Sequence, residues 1–213
     1  WFETQRQVRL LDQWLALNSS SNPFEFYLGA DYGELERTNT DKSVVGTPDT
    51  HNMYRGTFGA FATIVGLQAQ YAVSDEEYEL LEGTFNLRIL GRAQQATNWT
   101  LFYGYSQRTE KDKINTPVVE ETFKNTFGGA SFSIYFTKYF GVEGLYKTYF
   151  KKKSDRDTEM EGQRAEGTVF IDFSFLRIYG TYYEEKLEFT NPTLTIDREA
   201  ERKGILGGLR FFF

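Results

Sequence analysis

The sequence predicts an all-β chain, an antiparallel up-and-down barrel that crosses a membrane with its strands. Three observations carry this. Aromatics make up 17% of the 213 residues, with 20 Phe and 14 Tyr against only 4 Pro, a mixture that suits pleated surfaces rather than helices. From Phe24 to the C-terminus apolar side chains recur at every second position, the period of a strand with one apolar and one polar face. Long polar links also alternate with short ones, as in barrels whose turns are short at one end and long at the other. No apolar run is long enough for a transmembrane helix. A mean hydropathy of −0.51 does not argue against a barrel, because only alternate side chains of a barrel strand meet lipid.

Composition narrows the chemistry. The chain has no cysteine, which removes disulfides, zinc-thiolate sites, Fe–S clusters and cysteine nucleophiles. A net charge of −6 argues against a general nucleic-acid partner. No Gly-rich phosphate loop, nucleophile elbow or paired zinc-ligand motif is present, so no cofactor and no metal site are expected. Asp75-Glu76-Glu77 lacks the spacing of a calcium loop.

Residues 3–17 depart from the β pattern. Val8, Leu10, Leu11, Trp14, Leu15 and Leu17 fall on one side of a helical wheel and Gln5, Arg6, Arg9, Asp12 and Gln13 on the other, which predicts a short amphipathic helix. Asn18 through Pro23 ends it. Residues 1–22 are therefore assigned to a helix and linker, and 23–213 to the barrel.

The alternation then runs through the chain. Phe24, Phe26, Leu28, Ala30 and Tyr32 oppose Glu25, Tyr27, Gly29, Asp31 and Gly33. Tyr54 to Ile64 repeats the pattern, and a slip near Val65-Gly66 marks a tight turn or a bulge. Further apolar rows run through Leu67–Val73, Leu81–Ile89, Trp99–Tyr105, Ala130–Phe136, Phe140–Phe150, Val169–Phe175, Leu176–Tyr182 and Ile205–Phe213. This gives about ten strands, with eight possible if the slip is only a bulge. Long links are expected at 38–51, 110–121, 152–163 and 190–200, with Ser74–Glu77 as the one short member of that series. With an even strand count, both chain ends lie on the side of the short turns, the periplasmic side of an outer-membrane barrel.

The polar rows decide which face meets lipid. They hold mainly Gly, Ser, Thr, Asn, Gln and Tyr, with scattered charges at Glu82, Arg88, Glu143, Lys147, Asp172, Arg177 and Arg210, unlike the Lys- and Glu-rich surface of a soluble barrel. They are expected to be enclosed, with Tyr135, Tyr149, Tyr179 and Arg177 filling much of the lumen. Tyr54, Trp99, Tyr105, Tyr139 and Tyr183 are assigned to interfacial girdles.

The last residues, Gly207-Gly208-Leu209-Arg210-Phe211-Phe212-Phe213, end on Phe with Leu209 and Phe211 at alternate positions before it. This segment resembles the terminal assembly signal of Gram-negative outer-membrane β-barrel proteins. The resemblance implies location in the bacterial outer membrane and recognition by the barrel-assembly machinery. Leu206 stands where members of that class often carry a polar residue.

Small barrels of this kind act as anchors, adhesins, assembly partners or rim enzymes. The expected role is a non-enzymatic structural or interaction subunit of an envelope assembly with a closed lumen, held in the lipid bilayer and contacting a periplasmic or membrane protein through the helix or wall. A narrow channel is a further alternative. So is an enzyme, because His51, the only histidine, together with Ser74 and Asp75 can meet at the outer rim, an arrangement similar to that of lipid A acyltransferases. Lys151, Lys152 and Lys153 with Arg156 are candidates for contact with lipopolysaccharide phosphates, against the plainer reading of a solvated loop base near Asp155, Asp157, Glu159 and Glu161.

Overall fold

The computed structural model describes residues 23–41, 44–75, 77–112, 119–154, 156–191 and 196–213. The helix expected over 3–17 lies outside the described residues. Eleven strands follow in order: β1 Phe24–Asp41, β2 Val44–Val45, β3 Asp49–Ala62, β4 Val65–Ser74, β5 Tyr78–Leu90, β6 Asn98–Asp112, β7 Val119–Tyr135, β8 Phe140–Lys153, β9 Glu159–Phe173, β10 Leu176–Asn191 and β11 Ile196–Phe212. All but β2 form the wall, ten strands in all, each antiparallel to the next, and β11 pairs with β1 to close it. The two-residue β2 only extends the end of β1 through Thr40↔Val45 and Asp41↔Val44.

Closure brings β1 and β11 unusually near each other at two inward glycines. A Cβ on Gly33 would lie 2.0 Å from the Ile205 carbonyl oxygen, and one on Gly204 would lie 2.0 Å from that of Glu34. Only glycine fits such an approach.

One end of the barrel, here the terminal end, holds Phe24, Phe213 and the tight turns. The first turn falls at Thr63-Ile64, just before the expected Val65-Gly66, and the last at Ser174-Phe175. The links at the other, distal end are shorter than the sequence suggested because the strands run on into them. β1, β7 and β11 reach 18, 17 and 17 residues, whereas crossing a bilayer takes about nine to eleven.

That surplus divides the barrel into a belt and a collar, and β10 shows the division most plainly. Leu176, Ile178, Gly180 and Tyr182 face outward, followed on the same face by Glu184, Lys186 and Glu188; Arg177, Tyr179, Thr181, Tyr183, Glu185, Leu187 and Phe189 face inward. On β1 the outward row changes from apolar to Glu34 and Glu36 just after Tyr32, and on β11 it changes from Glu201 and Lys203 to Ile205. In the belt, side chains such as Leu67 and Ile205 stand 64% and 70% exposed. A continuous apolar girdle of this extent excludes a free aqueous surface. In the collar the outer wall is laced by ion pairs, Lys186–Glu201 at 3.2 Å and Lys111–Glu79 at 3.0 Å between strands and Lys203–Glu201 at 2.8 Å along β11.

The enclosed side also changes character with height. Toward the distal end Phe123, Phe127, Met160, Leu187 and Phe189 form a buried cluster, and Leu35, Met53, Leu80 and Leu206 form another. Leu206, the departure from the assembly-signal pattern, thus belongs to an internal core. Tyr183 corrects one expectation: it is fully buried in the bore and not in a girdle, whereas Tyr54, Trp99, Tyr105 and Tyr139 do face outward. Tyr182 is the outward residue there, so the strand's alternation turns Tyr183 inward.

Candidate functional site in the barrel interior

Most of the charges scattered along the sequence meet in a column of linked ion pairs inside the bore, with Arg88–Glu25 as a separate pair at its terminal end. Near the terminal end Arg88 bonds Glu25 at 2.9 Å, and Arg177 bonds Asp172 at 2.7 Å as well as Glu143 and Tyr135. Arg210 reaches Glu143 at 3.2 Å and lies 5.3 Å from the Tyr179 ring centre. Tyr179 donates to Asp31, which also holds Arg55; Arg55 bonds Glu166 at 2.7 Å, and Glu166 accepts from Arg164.

At mid-height Glu82 receives Lys147 at 2.6 Å and the Tyr149 hydroxyl at 2.9 Å. Above it Glu185, fully buried, takes Arg108 at 2.7 Å and Arg202 at 3.4 Å, and the same two guanidinium groups hold Glu110 at 3.0 and 2.8 Å. Tyr78 lies between them, its ring centre 4.6 Å from Arg108 and 4.8 Å from Arg202. Glu110 lies above the belt, since Gln107 and Thr109 follow Tyr105 on the outer face. Burial acts to raise its pKa, but Arg202, Arg108 and Arg37 outweigh burial and hold it at about 2.

Both mouths are covered by side chains. At the terminal end the 91–97 link crosses to the far wall, where the Gln94 N–H donates to Glu25 at 2.6 Å and Gln95 donates to the Ser174 carbonyl. At the distal end Glu77, in the short β4–β5 turn, is folded inward and binds Arg37 at 3.0 Å and His51 at 2.9 Å, with Arg202 at 3.5 Å. The interior cavity that remains is polar, about 110 Å3, and lined by groups such as Gln68, Asn86, Asn98, Thr100 and Ser133. That is room for about three to four water molecules. Among the described residues, paired side chains thus occupy most of the bore.

The residues singled out from sequence fall as follows. His51 faces inward at the distal mouth, and its Nε2 is taken by Glu77 and by Asp49 at 3.1 Å. Ser74 is buried, and its hydroxyl makes no hydrogen bond. Asp75 is exposed, with its backbone N–H donating to the Asn52 carbonyl. The structure thus places His51 with Glu77, which sequence reasoning passed over, and with neither Ser74 nor Asp75. Lys151, Lys152 and Lys153 are exposed at the collar rim, where Glu159 takes Lys151 at 2.8 Å and Lys153 at 3.9 Å. Arg156 lies in the following turn, its N–H donating to Ser154 Oγ. Leu209, Phe211 and Phe213 all face outward, and Phe213 exchanges backbone hydrogen bonds with Phe26.

An apolar belt around a closed, ion-paired interior defines a transmembrane β-barrel of the outer-membrane type. No family model matches the chain, and no curated protein does. Among solved structures, the translocator domain of the autotransporter NalP from Neisseria meningitidis is 9% identical, over 96% of this chain and 95% of its own, with a TM-score of 0.34. OprG from Pseudomonas aeruginosa is 10% identical, over 89% and 95%, at 0.31. Ail of Yersinia pestis, in complex with the heparin analogue sucrose octasulfate, is 9% identical, over 87% and 99%, at 0.31.

Proposed function

We propose that this chain is a closed, non-enzymatic outer-membrane barrel that acts through its surfaces, as an anchor or interaction subunit of an envelope assembly. The observation that carries this reading is the ionic column. Each buried cation in it is held by a carboxylate, and a bore so filled neither passes solutes nor offers a vacant reaction centre. His51 supports the same reading, because its Nε2 is engaged by two carboxylates and the Ser74 hydroxyl makes no hydrogen bond to it. The tight turns and both ends of the barrel domain face the periplasm, and the collar faces outward, by the usual asymmetry of such barrels. In that orientation the basic rim at Lys151–Lys153 lies near lipopolysaccharide, the terminal Phe row serves assembly, and a periplasmic or membrane partner is met through the segment before Pro23 or the barrel wall.

Planar-bilayer recording tests the closed bore. Purified barrel inserted into a lipid bilayer is expected to give no steady conductance above the bare membrane. Porin-like steps that persist at neutral pH would overturn the reading.

A further inference from the structure

The cavity on the lipid side of the wall is far larger than the one in the bore. It measures about 820 Å3, is almost wholly apolar, and spans β3, β1 and β11 with its edges on β4 and β10. Its floor is made by absent side chains. Gly56 pairs with Ala30 in register, Gly207 pairs with Tyr32 one row higher, and all four residues face outward. Tyr71, Leu209 and Leu28 wall it, and Tyr32 and Tyr54, with ring centres 4.9 Å apart, stand at its distal edge.

These two glycines are not explained by the described residues. A Cβ at Gly56 or Gly207 would meet nothing within 4 Å, unlike Gly33 and Gly204. Glycine within a strand loses packing and costs backbone entropy, and it commonly marks a place where a ligand or another backbone comes close. Among the described residues no other part of the chain comes close, which leaves the hollow open to a filler from the surroundings.

We infer that the hollow is a seat for one acyl chain of a bilayer lipid, with the lipid's polar linkage at the tyrosine edge. This rests on the reading of the belt as lipid-facing. The groove lies within that belt and runs up to its distal border, where the outward row changes to Glu34 and Asn52. Acyl chains are therefore the medium that borders it. The walls offer hydrocarbon and ring faces, which suit a chain with no polar group to satisfy. At the border the Tyr32 hydroxyl is engaged by Asn52 at 2.8 Å. Those of Tyr54 and Tyr71 make no hydrogen bond among the described residues, and both are half-exposed, so they are available to an ester or phosphate oxygen at headgroup level. A second copy of the chain fits less well, because two such hollows facing each other across a two-fold axis leave the space between them unfilled.

The test is electron spin resonance of barrel reconstituted in phosphatidylethanolamine–phosphatidylglycerol vesicles carrying a phospholipid spin-labelled near the chain end. Gly56→Leu/Gly207→Leu fills the hollow with side chains for which there is room, and Ala30→Leu fills it by a second route. Both are expected to lower the motionally restricted lipid by about one chain per barrel. Gly83→Leu/Gly167→Leu, which adds the same two side chains on other parts of the belt where a Cβ also meets nothing within 4 Å, is expected to leave it unchanged. An equal restricted fraction in all variants would overturn the seat. So would a wild-type dimer that Gly56→Leu/Gly207→Leu dissociates, or stronger immobilisation of spin-labelled free stearic acid than of the labelled phospholipid. None of these outcomes bears on bore conductance, so the seat and the closed-barrel function stand or fall separately.

Discussion

The two ends of β10 obey opposite rules within one strand. Below Tyr182 the outer face is apolar and the inner face carries Arg177 and Tyr179; above it the outer face carries Glu184, Lys186 and Glu188, and the inner face sets Leu187 and Phe189 beside Glu185 and Asn191. The outer wall is thus inside-out in the belt and ordinary in the collar, on the same ten-strand frame. The difference shows that the outer wall follows its surroundings, whereas the ionic column runs through the bore of both regions. Where lipid already accepts the apolar row, much of the enclosed row is left to polar groups, which must pair because water is scarce, with Tyr27, Phe61 and Phe212 as a small apolar cluster among them. Where water surrounds the wall, apolar side chains gain about 25 cal/mol per Å2 by turning inward, as in any soluble domain.

The sharpest way to break this picture is at the junction, where Glu185 ties the column to the collar. Glu185→Ala would leave Arg108 and Arg202 facing each other in full burial, with only Glu110 between them. Removing one partner of a buried pair typically costs about 3–5 kcal/mol. The denaturant midpoint of the lipid-reconstituted barrel should fall accordingly, and Arg108→Leu added to Glu185→Leu should recover part of the loss. A loss below about 1 kcal/mol, the range of exposed pairs, would mean that water screens the column.

Acid should separate the two regions. Glu110 titrates at about 2 in the folded collar, against 4.5 for the ordinary group. A depressed carboxylate contributes stability that is fully present above the unfolded value and is lost as pH falls from about 4.5 toward 2. At neutral pH this single group contributes of the order of 3 kcal/mol. Hydrogen exchange is therefore expected to quicken in the distal parts of β6 and β11 over that window, while amides of the belt, shielded by lipid, keep their protection. Simultaneous loss of protection in both regions would show that the barrel unfolds as one unit.

The belt was legible because one observable, period-two alternation, determines both strand and facing there. Leu209, Phe211 and Phe213 need no tertiary information to be placed. The collar was not legible, because its outward charges made 38–51, 110–121, 152–163 and 190–200 resemble links. Lys186–Phe189 alternates like Leu176–Tyr182 but with the faces exchanged, and reading it required the phase to be carried across Glu184 and Glu185. The same phase would have placed Tyr183 inside. The column was legible only in part: alternation turns Arg55 and Glu166 inward, but these residues are 111 apart in sequence, and their meeting depends on strand register and barrel closure. Glu77 left no signal beyond its place in a short acidic turn.

The smallest expected effect gives the finest comparison, a lysine placed on the outer face of β10 at two heights. Ile178→Lys puts a cation among lipid chains, between Leu209 on β11 and Ile171 on β9 in the register. The cost of such a charge on the lipid face reaches about 2–4 kcal/mol at mid-bilayer and falls toward the borders, so about 2 kcal/mol is expected here. Glu188→Lys makes a larger change in charge on the same strand and the same face, but in the collar it meets water, and stability should move by no more than about 0.5 kcal/mol. Folding midpoints measured side by side in one lipid should therefore rank the neutral-to-charged substitution as the more damaging. If the two costs were equal, the border drawn at Tyr182 would have no physical meaning. If Glu188→Lys were the costlier, the collar, and not the belt, would be the part buried in lipid.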